Sequence, residues 1–248
     1  TVNGSAALHI SLMLGGVGRD DEVLMPSLTF VATANAVSYC GAIPHFVECE
    51  TLSLGIDVQK LAYHLEKSTE TKQGKLYNKE TGRRIAAIVP VHIFGHPVDM
   101  DALQKLAYFY GLPVIADAAE ALGSYYKGKP VASFGMISAL SFNGNKIMTT
   151  GGGGAILTND AELAERARHL TTTAKVPHKW DFVHDEIGYN YRLPILNAAL
   201  GCAQLEQLPD KLIAKRSLFK RYKAAFFSLE GVSLMVEPEK CRSNYWLQ

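Results

Sequence analysis

The sequence predicts an α/β fold in which a mostly parallel central sheet is covered by helices on both faces. Three observations carry this expectation. Short apolar runs such as Ile85-Ala86-Ala87-Ile88-Val89 and Val114-Ile115-Ala116 have the length and character of strands buried on two sides. Amphipathic stretches at helical spacing, for example Met100, Leu103, Ala107 and Tyr110, alternate with them. Gly15-Gly16, Gly111 and Pro113 stand where helices should stop. Strands and helices alternating in this way pair in parallel through helical crossovers.

Each element follows from its residues in order. Asn3-Gly4-Ser5 opens a helix that runs from Ala6 to Leu14, with N–H groups free at its start and Asn3 or Ser5 available as a cap. A strand over Glu22–Pro26, a helix over Thr29–Tyr39 and a strand over Ile43–Val47 follow. Asp57 to Leu65 reads as a helix, and the polar segment Lys67 to Arg84 as an exposed hairpin or loop. Strands are expected over Ile85–Val91, Val114–Asp117, Ile137–Phe142 and Ala155–Thr158. Asn159-Asp160-Ala161-Glu162 has capping-box spacing for a helix through Leu170. Pro194–Leu205 and Asp210–Phe227 are helical, with Pro194 suited to a first turn. The apolar and aromatic Ser243–Gln248 reads as the beginning of a strand.

Composition narrows the function. The chain has 248 residues, with Lys plus Arg 25 and Asp plus Glu 24. This balance offers no basic surface for nucleic acid. No apolar run reaches the roughly 18 residues that span a bilayer, and Thr1-Val2-Asn3-Gly4 lacks the features of a signal peptide. A cytoplasmic location without membrane attachment is expected. Cys40, Cys49, Cys202 and Cys241 show neither paired metal-site spacing nor disulfide density, so reduced thiols and no metal site are expected.

The chemistry concentrates in two places. Ser141-Phe142-Asn143-Gly144-Asn145-Lys146, followed by Ile147-Met148-Thr149-Thr150 and Gly151 to Gly154, sets one amine beside backbone that can approach a ligand closely. Asp117 lies at the carboxyl end of an apolar strand, where open α/β sheets place ligand-binding groups. A carboxylate buried there needs a structural Arg, a helix N-terminus, a metal or a protonated ring nitrogen as partner. Pyridoxal phosphate (PLP) enzymes need both groups: a lysine that bonds the aldehyde and an acid against the pyridinium nitrogen. A nicotinamide-binding fold is disfavoured, because Gly15-Gly16-Val17-Gly18 follows a helix rather than a first strand.

Taken together, these blocks resemble the DegT/DnrJ/StrS family of PLP-dependent sugar aminotransferases. The resemblance runs through Asn3-Gly4-Ser5-Ala6-Ala7-Leu8, Pro26 to Asn35, Pro90-Val91-His92, Asp117-Ala118-Ala119-Glu120, Ser133-Phe134-Gly135, Ser141 to Lys146 and Gly188-Tyr189-Asn190-Tyr191-Arg192. The wording of Ser141 to Gly154, Thr171 to Trp180 and Ser243-Asn244-Tyr245-Trp246 is most similar to the branch that aminates 4-keto-6-deoxy nucleotide-linked N-acetylhexosamines in legionaminic acid pathways. It implies PLP-dependent transferase fold type I, with an aspartate-aminotransferase-like large domain at 1–235. Residues 236–248 then begin a small C-terminal domain, and both that domain and the family's N-terminal segment are incomplete here.

The resemblance also implies roles. Lys146 is the lysine that bonds the cofactor and then shuttles the proton, and Asp117 holds the ring nitrogen protonated. Gly4, Ser5 and Ser141 hold the phosphate, and Asn190 reaches it from the neighbouring subunit of a homodimer. Phe30 lies against the ring. Glu120 stands where Gln or His is commoner in the family; it belongs to the cofactor-binding set, near the phenolic oxygen, or faces the substrate, and marks specificity. His184 and Arg192 are candidates for the amino donor or the nucleotide sugar. His92 reads as a satisfied structural histidine. The implied reaction moves an amino group from L-glutamate to C4 of a 4-keto-6-deoxy nucleotide-linked hexosamine. A PLP-dependent sugar dehydratase is the nearest alternative, disfavoured because those enzymes usually replace the lysine by His; a chain that binds the cofactor without turnover is another.

Overall fold

The computed structural model describes all 248 residues. In chain order the elements are α1 (Gly4–Leu14), β1 (Glu22–Pro26), α2 (Val31–Tyr39), β2 (Ile43–Val47), α3 (Val58–Ser68), β3 (Thr69–Lys72), β4 (Lys75–Asn78) and β5 (Ile85–Ile88). There follow α4 (Met100–Phe109), β6 (Ile115–Asp117), β7 (Tyr125–Tyr126), β8 (Lys129–Pro130), β9 (Ile137–Ser141) and β10 (Gly154–Leu157). The chain continues through α5 (Ala161–Thr171), α6 (Ile195–Glu206), α7 (Leu208–Phe226) and β11 (Cys241–Arg242).

Two ladders, β2-β1-β5 and β10-β9-β6, make the main sheet. Parallel bridges at Ile88–Val114 and Val91–Asp117 join them, so the order is β2-β1-β5-β6-β9-β10. Every pairing is parallel except β10 with β9. Side-chain alternation along the strands explains why both faces are apolar. Leu24, Ile88 and Leu140 point into a core with Leu61, Leu65, Met100 and Leu103 of α3 and α4. Val23, Met25, Ala87, Ile115 and Ala139 point the other way, onto Ala7, Leu8 and Leu12 of α1 and Ala36 and Val37 of α2.

Helix starts follow capping chemistry. Asn3 caps α1 through Ala6 N, Asp57 caps α3 through Lys60 N, and Asp99 caps α4 through Ala102 N. Several boundaries differ from the sequence reading. Helix α2 begins at Val31, because Phe30 keeps extended backbone as its cap. Asp160, not Asn159, caps α5, accepting from Glu162 N and Leu163 N. Pro194 is the residue before α6 rather than its first turn. The hairpin β3–β4 forms within Lys67–Arg84, but Leu76, Asn78 and Thr69 are buried. Asn78 and Thr81 donate to the buried Glu22 at the start of β1, which ties the hairpin down.

The largest departure is at Ser243–Gln248. No strand forms beyond Arg242; Ser243, Asn244, Tyr245 and Trp246 bury themselves in irregular conformation. Asn244 Nδ2 donates to the carbonyls of Glu120 and Leu122, and Ser243 Oγ donates to Gly95 O. Polar atoms of the segment thus find partners outside any ladder, which removes the need for one. Gly95, at φ +90°, lies so close that an added Cβ would meet Asn244 Oδ1 at 1.8 Å.

Gly95→Ala is expected to destabilise the fold by roughly 2–4 kcal/mol, because the left-handed backbone and the clash act together. Thermal unfolding checks this, and an unchanged melting temperature contradicts the packing. A second expectation concerns pH. Burial pushes His92 down to about 3 and His96 down to about 4, with Glu237 opposing the shift at His96. The unfolded chain therefore takes up protons that the folded one refuses, so this stability is complete above the ordinary value of 6.5 and is lost as pH falls from there toward about 4. Urea midpoints should fall across that window, and His96→Phe should flatten the decline; a wild-type curve that stays level contradicts it.

Candidate functional site

The site lies at the carboxyl ends of the parallel strands. Asp117 ends β6 and is buried. Its Oδ2 accepts from Thr33 Oγ1 at 2.7 Å and its Oδ1 from Ala119 N at 3.0 Å. Burial pushes the carboxyl above its ordinary value; the Thr33 and Ala119 bonds pull against that, Glu120 adds to it, and Lys146 opposes it. Two hydrogen bonds do not offset the desolvation, so the carboxylate is short of positive charge. Thr29 Oγ1 lies 2.8 Å from Thr33 Oγ1, which extends the hydroxyl chain to the loop before α2.

Lys146 follows β9, in the turn that Ser141 begins. Its side chain is 11% exposed, and Nζ lies 3.3 Å from Glu120 Oε1. The other Glu120 oxygen accepts from Phe94 N at 2.7 Å, across a residue at φ +55°. Glu120 therefore faces the amine. The indole of Trp246 covers Nζ from another side, with its ring centroid at 4.0 Å. A cavity of about 320 Å³ opens beside the pair, and Lys211 and Lys215 of α7 share its lining.

The start of α1 meets the end of β9. A Cβ on Gly4 would lie 2.8 Å from Ser141 Cβ, so glycine permits the approach. Asn3 satisfies Ala6 N and Ala7 N, while the Gly4 and Ser5 N–H groups have no acceptor in the chain. With the Ser141 hydroxyl, whose Oγ accepts only a 3.4 Å bond from Asn143 N, they form a neutral cradle for an anion at a helix N-terminus. Phe30 is 65% exposed at the head of α2, so it is not core packing.

The structure thus gathers Asp117, Glu120 and Lys146 into one neighbourhood, and Gly4, Ser5 and Ser141 into another on the adjoining strand end. Asn190, His184 and Arg192 are exposed and make no polar contact with these residues within the chain. Asn190 bridges Thr172, and His184 Nδ1 bonds Thr173 O at 2.7 Å. His92 is structural but satisfied on one side only: Nδ1 accepts from Val98 N, and Nε2 has no partner. The sequence reading missed Thr33, Asn244 and Trp246 as neighbours of the site. The Ser243-Asn244-Tyr245-Trp246 block was visible, but its burial was not.

A buried carboxylate, a largely buried lysine and an anion cradle of N–H and hydroxyl groups are what a phosphorylated pyridine aldehyde requires, and the residues fit it. This combination on a doubly covered parallel sheet has the fold type I architecture of PLP-dependent transferases. Comparison with known proteins agrees. The model of the DegT/DnrJ/EryC1/StrS aminotransferase family matches residues 1–248, and the chain belongs to that family. It is 41% identical over 245 residues to EpsN of Bacillus subtilis (strain 168), named as a pyridoxal phosphate-dependent aminotransferase, covering 99% of this chain and 60% of that protein. It is 40% identical over 245 residues to the GDP-perosamine synthase of Escherichia coli O157:H7, covering 99% of this chain and 62% of that protein. Among solved structures, a DegT DnrJ EryC1 StrS aminotransferase from Brucella abortus superposes with a TM-score of 0.87 at 32% identity, covering 99% of this chain and 62% of the other. The chain therefore spans less than two thirds of the length of these relatives. No helix is long and apolar enough to cross a membrane.

Thr33→Val removes the donor to Asp117 without a change of size. It is expected to weaken PLP binding about tenfold, the loss of one hydrogen bond to a charged group. Equilibrium dialysis measures this; unchanged affinity in a folded variant contradicts the role of the hydroxyl.

Proposed function

We propose that this protein is a PLP-dependent aminotransferase that moves an amino group from L-glutamate to C4 of a 4-keto-6-deoxy nucleotide-linked hexosamine. The observation that carries the reading is the Lys146 amine held against Glu120 at the strand end that buries Asp117. Bound there, PLP supplies an aldehyde carbon and an electron-withdrawing ring. Asp117 keeps the ring nitrogen protonated, and Gly4, Ser5 and Ser141 take the phosphate. Phe30 offers an exposed aromatic face to the ring.

Lys146 is the nucleophile toward the aldehyde. Once free of the aldehyde, the same amine would be placed to take the proton from the donor carbon and deliver it to the carbon that had been the aldehyde's, as base and then acid. Glu120 fixes where that amine rests. Presence of the lysine favours amino transfer over the dehydratase alternative.

The sugar reading draws on two supports. The GDP-perosamine synthase likeness points to amination of a nucleotide-linked sugar. The Ser141–Gly154 and Ser243–Trp246 wording points to the N-acetylhexosamine branch. We further propose a cytoplasmic homodimer in which Asn190 of one subunit reaches the phosphate of the other, with Arg192 and His184 beside the substrate. We assign residues 1–235 to the cofactor-binding domain, against which 236–248 pack through β11 and Ser243–Trp246.

Borohydride reduction after loading with PLP is expected to label one peptide, the one carrying Lys146, and Lys146→Ala is expected to lose the label. L-Glutamate added to loaded protein should convert the carbonyl absorbance to that of the amine form of the cofactor. A label on another lysine overturns the assignment, and no spectral change with any amino donor overturns the reaction.

A further inference from the structure

We propose that Trp246 is the positioning residue of Lys146. One face of its indole receives the ε-ammonium, while its Nε1–H holds the Asn145 carbonyl at 2.8 Å, so a single side chain fixes both the amine and the backbone that carries it. The proposal rests on the reading of Lys146 as the reactive amine.

The structure commits several interactions to placing this ring. Asn244 has no exposed surface; it accepts from Trp246 N, donates to Glu120 O and Leu122 O, and its own N–H bonds Ser124 Oγ. Tyr245 sits at φ +48°, in the left-handed region that a bulky residue rarely adopts. Such strain persists where the surroundings over-determine it, and it gathers at functional sites. Here the Tyr245 ring stacks on Phe219 with centroids 4.0 Å apart and meets His96 edge-on. Lys215 Nζ closes the turn on Trp246 O at 2.9 Å, and Arg216 binds both Glu237 and Ser243 O. The left-handed step at Tyr245 lets its own ring enter the α7 side while the next side chain reaches Lys146.

The result is an amine between two attractive groups of different kind: the Glu120 carboxylate at 3.3 Å and the negative face of an indole. The ionisable groups that face it are Glu120 and Asp117 from the end of β6 and Lys211 and Lys215 from α7. The ring restricts a long, flexible side chain to one place, and that restriction would aim the nitrogen toward a bound aldehyde.

Two measurements on the intact protein test the proposal. There are two tryptophans, so Trp180→Phe leaves Trp246 as the sole indole. Its emission is expected to change when Lys146→Met is added, because the face of the ring loses its charged neighbour. Emission unmoved by Lys146→Met overturns the contact. Next, the rate at which visible absorbance is gained on adding PLP at neutral pH is followed. Trp246→Leu is expected to slow it about tenfold, while Trp246→Phe, which keeps a ring, stays near wild type. A Trp246→Leu rate equal to wild type in a protein of normal melting temperature overturns the role. Should that variant fail to fold, the emission comparison decides alone. If wild type gains no absorbance, the reading of Lys146 falls, and the emission comparison still decides whether the ring holds the amine.

Discussion

The constraint on which this structure turns is the burial of one carboxylate at the edge of a parallel sheet. Asp117 ends β6 between β5 and β9, where strands on both sides and helices on both faces exclude water. Thr33 reaches it from α2 and Ala119 from the loop that follows, yet its affinity for protons remains above the ordinary level. A carboxylate so buried favours a positive partner. In the proposed function the protonated ring nitrogen of PLP would be that partner, because the same burial that penalises a lone carboxylate strengthens its attraction for a cation.

The rest of the site is organised around that point. Gly4 lets the start of α1 touch Ser141, which sets unbonded N–H groups beside the β9 turn that leads to Lys146. Glu120, three residues after Asp117, divides its two oxygens between Phe94 N and Lys146 Nζ. Its backbone carbonyl holds Asn244, and Asn244 in turn fits against the bare Cα of Gly95. A path of packed and hydrogen-bonded groups therefore runs from the sheet edge to Trp246 and back to the Lys146 amine.

Much of this was legible in the sequence, for a physical reason. Strands such as Ile85–Ile88 and Ile115–Asp117 are short, apolar and bounded by Gly or Pro, and the Lys146 turn carries four consecutive glycines, so local composition announces them. Groups that matter through distant contacts were not legible. Thr33 and Asp117 are 84 residues apart, and nothing around Thr33 signals a carboxylate acceptor. Ser243–Gln248 looked like the beginning of a strand because of its apolar and aromatic residues. Its fate was decided by non-local partners: Asn244 found carbonyls in the Glu120–Leu122 loop, and Tyr245 found Phe219. The exposed positions of Asn190, His184 and Arg192 likewise follow from a segment whose contacts lie away from the Lys146 neighbourhood.

Because burial of Asp117 is an electrostatic constraint, the protonation of a bound cofactor reads it out. Loading the protein with PLP labelled with nitrogen-15 in the ring, and recording its nuclear magnetic resonance shift, reports whether that nitrogen carries a proton. The account predicts a protonated nitrogen in the wild type at neutral pH and an unprotonated one in Asp117→Asn. An unprotonated nitrogen in the wild type, or a shift unmoved by Asp117→Asn, would contradict it.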